Sequence, residues 1–428
     1  MDNALPQTAA GKAYTRYVLF MIFLVMVFST CDRTIVSVLV DDIRRDLALD
    51  DRQMGFIIGS AFALVHFLAV VPIARWADRW SHARVMAIGL FGWSIMTALC
   101  GAAQNFFQLA LARMGVGVGE AAGGPPGQAI ITQFVPPDIR GRAMSVITLG
   151  GLVGLSFGVI YGGWASQEHG WRFALISVGL AGTVLAVLFW FTVYDRRPAM
   201  PEQHALPELK QTLKRLAANR TFVILLIAAC AVSMGTFGRA LWEPTFLRRI
   251  YDMSPAQAGA WYFLIGPVPA AVGAVISGYL LDRFAQRDAR WYGWLPALGA
   301  AALVPLVIAF YLYPADQVLF GRVPTGFVFS ALASLLSSSW VPATMCLGQM
   351  LAPPRSLAVT AAVWSMLSNF IGYGLGPLIV GDLNVRFEPV FGEAAIRYSL
   401  VAITVMTIVG AIAYLKVADR LGRDFSAQ

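Results

Sequence analysis

Residues 17–40 read YVLFMIFLVMVFSTCDRTIVSVLV, an apolar run whose charged residues are the adjacent Asp32 and Arg33. An α-helix rises about 1.5 Å per residue, so about 20 residues cross the roughly 30 Å hydrocarbon core of a bilayer. Backbone polar groups must be paired in lipid, and a helix pairs them within itself. The run therefore predicts a transmembrane helix that carries two charges inside the membrane.

Similar apolar runs fill the rest of the chain. Of the 428 residues, 58% are hydrophobic and 13% are charged, whereas soluble domains carry about 25% charged residues. This composition excludes a soluble globular protein and a disordered chain. The predicted spans are residues 17–40, 53–76, 83–103, 106–134, 141–165, 171–193, 221–247, 255–281, 291–313, 318–350, 356–381 and 394–417. We predict an all-α membrane protein with twelve transmembrane helices.

The net charge of +8 does not indicate a nucleic-acid partner, because most of the 32 Lys and Arg residues lie in alternate connections between the spans. Cytoplasmic loops of membrane proteins carry such an excess. We therefore predict an integral multi-pass protein of a bacterial inner (plasma) membrane, with both termini cytoplasmic. The four cysteines are scattered over different spans, so neither a disulfide nor a metal site is expected.

The two halves of the chain share features. Asp78-Arg79 follows the second span and Asp282-Arg283 follows the eighth. The longest interruption, residues 194–220, contains an amphipathic stretch typical of a helix on a membrane surface. Repeated six-span halves are a transporter architecture. We predict two pseudo-symmetric six-helix bundles, over residues 1–193 and 221–428, joined by a cytoplasmic linker with an amphipathic helix over residues 194–220.

Four charged residues lie at matching depths in the first and fourth spans. Asp32 and Arg33 lie about 23 Å along the first span, which runs outward. Arg113 lies about 10 Å from the outer edge of the fourth span, which runs inward, and Glu120 follows two turns later on the same face. Charges inside a bilayer are costly and persist where they pair or line a cavity. These residues are therefore expected to form a cluster.

The predicted cluster suits proton coupling. Low dielectric favours the neutral form of a carboxyl group and a neighbouring arginine favours the charged form, so the balance shifts as the site is hydrated. We predict proton-coupling roles for Asp32 and Glu120. Arg33 and Arg113 stay charged. They are expected either to bind an anionic headgroup or to act as ion-pair partners that switch between Asp32 and Glu120. The alternative is a fixed ion-pair brace between the two spans.

Further charged residues in the spans have two interpretations each. Arg239 in the seventh span is either the second-half counterpart of Arg33 in a substrate site or the (i, i+4) partner of Glu243. His66 in the second span is either a proton relay or, as we favour, a hydrogen-bonded buried histidine.

Two motifs carry a family resemblance. Ala74-x-x-x-Asp78-Arg79-x-Ser81-x-x-Arg84 resembles the loop signature of the major facilitator superfamily, and Gly278-x-x-x-Asp282-Arg283 resembles its second-half copy. Asp32-Arg33, with the Arg-x-x-x-Gly-x-Gly-Glu-Ala stretch at 113–121, is similar to the Spinster group of lipid transporters. Organic-anion symporters of the superfamily carry a similar Gly-x-Gly-Glu stretch.

The resemblance implies a major facilitator fold that works by alternating access, with Asp78, Arg79, Asp282 and Arg283 as gating residues that latch the inner face. It implies secondary active transport of an amphipathic, lipid-like substrate with proton coupling. The alternatives are a proton-coupled symporter of small organic anions and a proton-driven drug exporter.

Other classes of protein fit the sequence poorly. Nucleophile–base pairs, metal-ligand clusters and nucleotide-binding loops do not occur in it, so we expect no enzyme activity and no cofactor. The repeated halves favour a carrier over a channel. We expect the partners to be a small amphipathic or anionic substrate, protons and membrane lipids, with no nucleic acid, and the protein to be a monomer.

Overall fold

The computed structural model describes residues 9–136, 139–195, 206–319, 323–353 and 356–426. The helices before the predicted linker are α1 (Ala9–Asp46), α2 (Asp51–Gly55), α3 (Ala61–Arg79), α4 (His82–Ala102), α5 (Phe106–Glu120), α6 (Gly124–Phe134), α7 (Arg140–His169) and α8 (Trp171–Thr192). A π-helical segment, Phe56–Ser60, joins α2 to α3.

The later helices and strands are α9 (Leu206–Ala218), α10 (Arg220–Ala240), α11 (Glu243–Ile250), α12 (Pro255–Ile265), α13 (Pro267–Ala285), α14 (Trp291–Leu312), β1 (Val318–Leu319), β2 (Val323–Pro324), α15 (Gly326–Ser337), α16 (Trp340–Met350), α17 (Leu357–Asn369), α18 (Gly376–Phe391), α19 (Ala395–Ile403) and α20 (Val405–Ser426). The π-helical segment Phe370–Leu375 joins α17 to α18, and a 3₁₀ turn at Gly392–Ala394 precedes α19. The two short strands pair antiparallel.

Ten helical stretches in the described ranges are long and apolar enough to cross a membrane. One of them, Val359–Arg423, contains two spans, because α18 ends at Phe391 and α19 begins after a short turn. The fourth predicted span, 106–134, is divided between α5 and α6, each too short to be counted alone. The predicted all-α membrane fold with twelve spans is confirmed.

The described residues fall into two compact units. One lies within Met1–Leu39 and Leu64–Glu202, and the other within Val40–Ala63 and Gln203–Gln428. The end of α1, α2 and the first π-helical segment therefore pack with the later helices rather than with their sequence neighbours. This arrangement places acidic residues from the early chain beside basic residues from the late chain.

Small residues bring the helices of each unit close together. In the first unit, a Cβ on Gly154 of α7 would lie 2.9 Å from the Val27 Cα of α1, and one on Gly158 would lie 2.9 Å from the Cys31 carbonyl oxygen. In the second unit, a Cβ on Gly238 of α10 would lie 3.1 Å from the carbonyl carbon of Gly376. Glycines at four-residue spacing permit such close backbone approach in membrane helices. These glycines therefore serve close helix packing within each unit.

The predicted amphipathic helix of the linker is α9. Leu216 is buried, while Lys214 and Arg215 are exposed. Apolar and basic side chains on different faces are the pattern of a helix that lies along a membrane surface. Residues 196–205 of the predicted linker lie outside the described ranges.

Candidate functional site

The fourth span breaks at a predicted site residue. Helix α5 ends at Glu120, a turn covers Ala121–Gly123, and α6 begins at Gly124. Pro125 and Pro126 follow, and proline favours the first turn of a helix because it has no backbone N–H to pair. The turn is closed by the Gly123 N–H, which donates to the Glu120 carbonyl oxygen at 2.9 Å.

The tenth span is interrupted in the same way, between Ser337 at the end of α15 and Trp340 at the start of α16. The fourth and tenth spans occupy corresponding positions in the two halves. Paired interruptions of this kind mark the substrate site in transporters with repeated halves. The sequence indicated the first break through Gly123-Gly124-Pro125-Pro126, but an apolar run alone does not show it.

The structure brings Arg33 and Glu120 into direct contact in the first unit. Arg33 Nε donates to Glu120 Oε2 at 2.5 Å, and Ser29 Oγ donates to the same oxygen at 3.1 Å. Glu120 is 1% exposed, whereas 32% of the Arg33 side chain is exposed. The arginine therefore connects a buried carboxylate to an accessible surface.

Asp32 and Arg113 form the other part of the cluster. Arg113 Nη1 donates to the backbone carbonyl oxygen of Asp32 at 3.1 Å. Both residues are 1% exposed. Asp32 also lies close enough to Glu120 and Arg33 for their charges to interact. The four residues thus lie together, as their depths in the spans predicted.

Two carboxylate oxygens of the cluster lack a partner. Asp32 Oδ1 and Glu120 Oε1 are buried and accept no hydrogen bond of ordinary geometry from a residue in the described ranges, and the Thr97 hydroxyl is the polar group that interacts with the Asp32 carboxyl group. A buried ionised oxygen without a donor costs several kcal/mol, by a rough general figure. A proton on either carboxyl group removes that cost.

His66 lies beside the fourth span. Its Nδ1 is 3.2 Å from the Gly117 carbonyl oxygen, and the ring is half-buried. An imidazole so placed has a structural partner in the backbone, which confirms the hydrogen-bonded interpretation of this histidine.

In the second unit, Arg239 and Glu243 flank the short turn between α10 and α11. Both are buried. Arg239 Nε donates to the Gly235 carbonyl oxygen at 3.0 Å, and Ser330 Oγ donates to Glu243 Oε1 at 3.0 Å. The two charges lie near enough to interact, but no ion pair joins them where the structure describes the chain. The predicted (i, i+4) ion pair is therefore wrong, because the helix ends between the two residues.

The predicted gating residues have different surroundings. Asp78 Oδ1 lies 3.0 Å from His82 Nε2 in the first unit. Arg79, Asp282 and Arg283 are exposed, and none of them forms an ion pair with a residue that the structure describes.

A residue that sequence reasoning missed, Asp195, holds the loop after the second span. Its carboxylate accepts from Ser81 Oγ, from the Ala83 N–H at 3.3 Å and from Gln133 Nε2 at 3.4 Å. The Ala83 N–H belongs to the first turn of α4, where backbone donors need acceptors. The loop is thus fastened within its own unit.

Sequence reasoning also missed an ion-pair network in the second unit. Arg249 binds both Asp41 and Asp51, and Arg44 Nη1 and Asn384 Nδ2 donate to the Asp51 oxygens at 3.0 and 2.9 Å. The sequence offered one signal for this network. Asp41-Asp42 ends the first span and Arg248-Arg249 ends the seventh, so opposite charges occupy corresponding positions of the two halves.

Comparison with known proteins identifies relatives along most of the chain. Residues 22–377 match the family model of the Major Facilitator Superfamily. An MFS-type efflux pump of Mycolicibacterium smegmatis is 31% identical over 395 residues, which are 92% of this chain and 90% of the relative. A probable L-galactonate transporter of Escherichia coli K12 is 24% identical, over 97% of this chain and 91% of the relative.

Among solved structures, the fold is similar to a bacterial homolog of the human lysosomal transporter Spinster, in an inward-facing and unoccupied conformation. The TM-score is 0.86 and the identity 26%, with 96% of this chain and 98% of that chain covered.

Proposed function

The chain belongs to the Major Facilitator Superfamily, and from that premise we propose that it is a proton-coupled secondary transporter of an amphipathic organic anion, such as a lysolipid. The observation that carries the proposal is the buried cluster in which Asp32 Oδ1 has no donor while Arg113 holds the same residue's carbonyl oxygen. It is a transporter rather than an enzyme, as the sequence predicted.

Charge balance links the proton to the anion. With both carboxylates ionised, Asp32 and Glu120 neutralise Arg33 and Arg113. One proton on Asp32 leaves a net charge of +1, and an anion near the exposed face of Arg33 restores neutrality. The proton and the anion therefore favour each other's binding and move together.

An amphipathic anion suits the surroundings of this cluster. The residues next to it on the fourth span, Gly117 to Gly119, are small and apolar, and the nearby walls are contributed by apolar spans. A guanidinium binds a phosphate or carboxylate through paired N–H donors, while the apolar walls accommodate a hydrocarbon tail. The resemblance of Asp32-Arg33 and the 113–121 stretch to the Spinster group of lipid transporters favours a lipid-like substrate.

Alternating access is the second part of the proposal. The predicted bundles, residues 1–193 and 221–428, would rock about the central site. The segment Val40–Ala63 packs in the second unit, and the ion pairs that Arg249 makes with Asp41 and Asp51 hold it to the later helices within that unit. Asp78, Arg79, Asp282 and Arg283 act as the gating residues of the cytoplasmic end, as the resemblance to the superfamily implies.

Proton flux in proteoliposomes tests the proposal. The purified full chain is reconstituted with a pH-sensitive dye inside, and lysophosphatidic acid or galactonate is added outside under a clamped membrane potential. Lysophosphatidic acid is expected to carry protons inward faster than in protein-free liposomes. If neither anion moves protons beyond that control, the proposed coupling is wrong.

A second candidate function is symport of small organic acids, which the similarity to the L-galactonate transporter favours. In the same assay, proton influx with galactonate and none with lysophosphatidic acid would support it. The drug-exporter alternative predicts proton efflux when a cationic substrate is added outside, because a proton and a cation compete for the same carboxylates.

A further inference from the structure

A cavity of about 780 Å³ lies in the first unit, between the start of α1 and the junction of α6 with α7. Lys12, Arg16 and Arg142 line it with cationic side chains, and Leu19 and Val146 contribute apolar surface. Its volume lies in the range of ligand pockets, roughly 300–1,000 Å³.

Among the residues that the structure describes, the three cations that line the cavity have no acidic partner. None of them forms an ion pair with a residue in the described ranges, and their side chains are exposed. Lys12 and Arg16 lie four residues apart on one face of α1, where like charges repel each other. Cations that converge without acids around one cavity form a field that an anion neutralises.

Arg140, next to the cavity, forms hydrogen bonds that fix the end of α6. Its Nε donates to the Val135 carbonyl oxygen and its Nη2 to the Thr132 carbonyl oxygen, each at 3.1 Å. This arginine pairs with carbonyl groups at the end of α6 and so holds the first turn of α7, which carries Arg142. It is therefore structural, whereas Arg142 remains available to a ligand.

The start of α1 is fixed in place as well. Tyr14 Oη donates to the Thr192 carbonyl oxygen at 2.9 Å, and Tyr17 Oη donates to Thr192 Oγ1 at 2.7 Å. These bonds anchor α1 to the end of α8 on both sides of Thr15. Lys12 and Arg16 are consequently presented by a rigid element.

We propose that this cavity binds the phosphate headgroup of an anionic phospholipid from the cytoplasmic leaflet. The basic end of the spans lies at that leaflet by the positive-inside rule. Basic pockets between helices on this side suit phospholipid headgroups. The phosphate contacts Lys12, Arg16 and Arg142, and an acyl chain follows the apolar surface past Leu19.

The site is separate from the transport cluster. Asp32 follows Arg16 by 16 residues on the same helix, a distance of about 24 Å at 1.5 Å per residue. The bound lipid is therefore a constituent of the protein's membrane environment, and the inference stands whatever substrate the protein carries.

Lipid binding to the purified full chain in neutral detergent tests the inference. Dissociation constants for phosphatidylglycerol and phosphatidylcholine are measured by native mass spectrometry on the wild type and on R16Q/R142Q. The control, K214Q/R215Q, removes the same charge from the exposed face of α9. A lysine variant, R16K/R142K, keeps the charge and reports whether the site tolerates substitution.

The dissociation constant of phosphatidylglycerol at this cavity is expected to be about 30-fold higher in R16Q/R142Q than in the wild type. Each basic residue near a lipid surface contributes about 1 kcal/mol. The control and R16K/R142K are expected to keep near wild-type affinity. Equal phosphatidylglycerol binding by R16Q/R142Q and the control overturns the proposal, as does a wild type that does not distinguish phosphatidylglycerol from phosphatidylcholine. Displacement of the lipid by millimolar inorganic phosphate would assign the site to a soluble anion instead.

Discussion

Arg249 binds both oxygens of Asp51, with Nη1 2.6 Å from Oδ2 and Nη2 2.9 Å from Oδ1. The same guanidinium donates twice to Asp41 Oδ1, from Nε at 2.9 Å and from Nη2 at 2.7 Å. A planar guanidinium matches a carboxylate in this geometry, which a lysine cannot reproduce. One arginine thus holds two acidic residues that come from the other half of the chain.

Replacement of Arg249 by glutamine is expected to destabilise the protein strongly. The two carboxylates it binds are buried, and removal of one partner from a buried ion pair costs about 3–5 kcal/mol. The measurement is the thermal midpoint of the purified protein in detergent. R249K is expected to restore only part of the loss.

The matched control is R386Q. Arg386 is 68% exposed and pairs with Asp382 on the next turn of the same helix, and exposed pairs contribute about 0–1 kcal/mol. Its thermal midpoint is expected to stay close to that of the wild type. A loss in R249Q no larger than in R386Q would show that the Arg249 network does not stabilise the structure.

Depth along the spans could be predicted from the sequence, whereas pairing could not. Counting residues from the edges placed Asp32 beside the fourth span because helical rise is constant. It did not show that Arg33 pairs with Glu120, since that depends on which way each side chain points. The Arg249–Asp51 pair joins residues 198 positions apart, and each looked like an ordinary charge at the end of a span.

The pattern of apolar residues also did not predict where the helices are interrupted. Residues 106–134 are mainly apolar apart from Arg113, Glu120 and three glutamines, and apolar character does not distinguish one span from two short helices. Only the turn residues Gly123, Gly124 and Pro125 indicate the break. The seventh span likewise ends its main helix at Ala240, which separates Arg239 from Glu243 and removes the predicted pairing.

The variant D32N is expected to uncouple transport from protons. Asparagine keeps the size of the side chain but cannot take up a proton, so uphill uptake driven by a pH gradient should fall at least about tenfold, the scale of one buried charge-assisted interaction. Exchange of substrate across proteoliposomes at equal pH should continue. Both rates are measured with labelled lysophosphatidic acid.

D288N provides the comparison, because Asp288 is half-exposed and its nearest cation, Arg290, lies 4.0 Å away. It is expected to behave as the wild type in both assays. Unchanged pH-driven uptake in D32N would exclude Asp32 as the proton site and favour the fixed-brace interpretation.

The variant R33Q is expected to weaken anion binding. The guanidinium loses its bond to Glu120 and its charge near the exposed surface, and a hydrogen bond to a charged group contributes about 1.5–3 kcal/mol. The dissociation constant should therefore rise by about 10- to 150-fold. Binding is measured by titration of the purified protein.

R33K separates charge from geometry. Lysine retains the positive charge but has no Nε donor in the arginine position, so an intermediate affinity is expected. R52Q is the control, since Arg52 is 53% exposed and pairs with Asp382. Equal affinities for R33Q and R52Q would remove Arg33 from the substrate site.

Glycine packing gives the last prediction, which does not depend on the transported substrate. A Cβ at position 154 would lie 2.9 Å from the Val27 Cα of α1, closer than carbon atoms pack, so G154A must push α7 away from α1. Gly92 of α4 has nothing within 4 Å of the corresponding position. In a helix interior, alanine is favoured over glycine by about 1 kcal/mol, so G92A should leave the thermal midpoint unchanged or raise it, while G154A lowers it. If G154A and G92A have the same thermal midpoint, the α1–α7 contact is looser than the structure shows. The four-residue spacing of the glycines then has a role other than close helix packing.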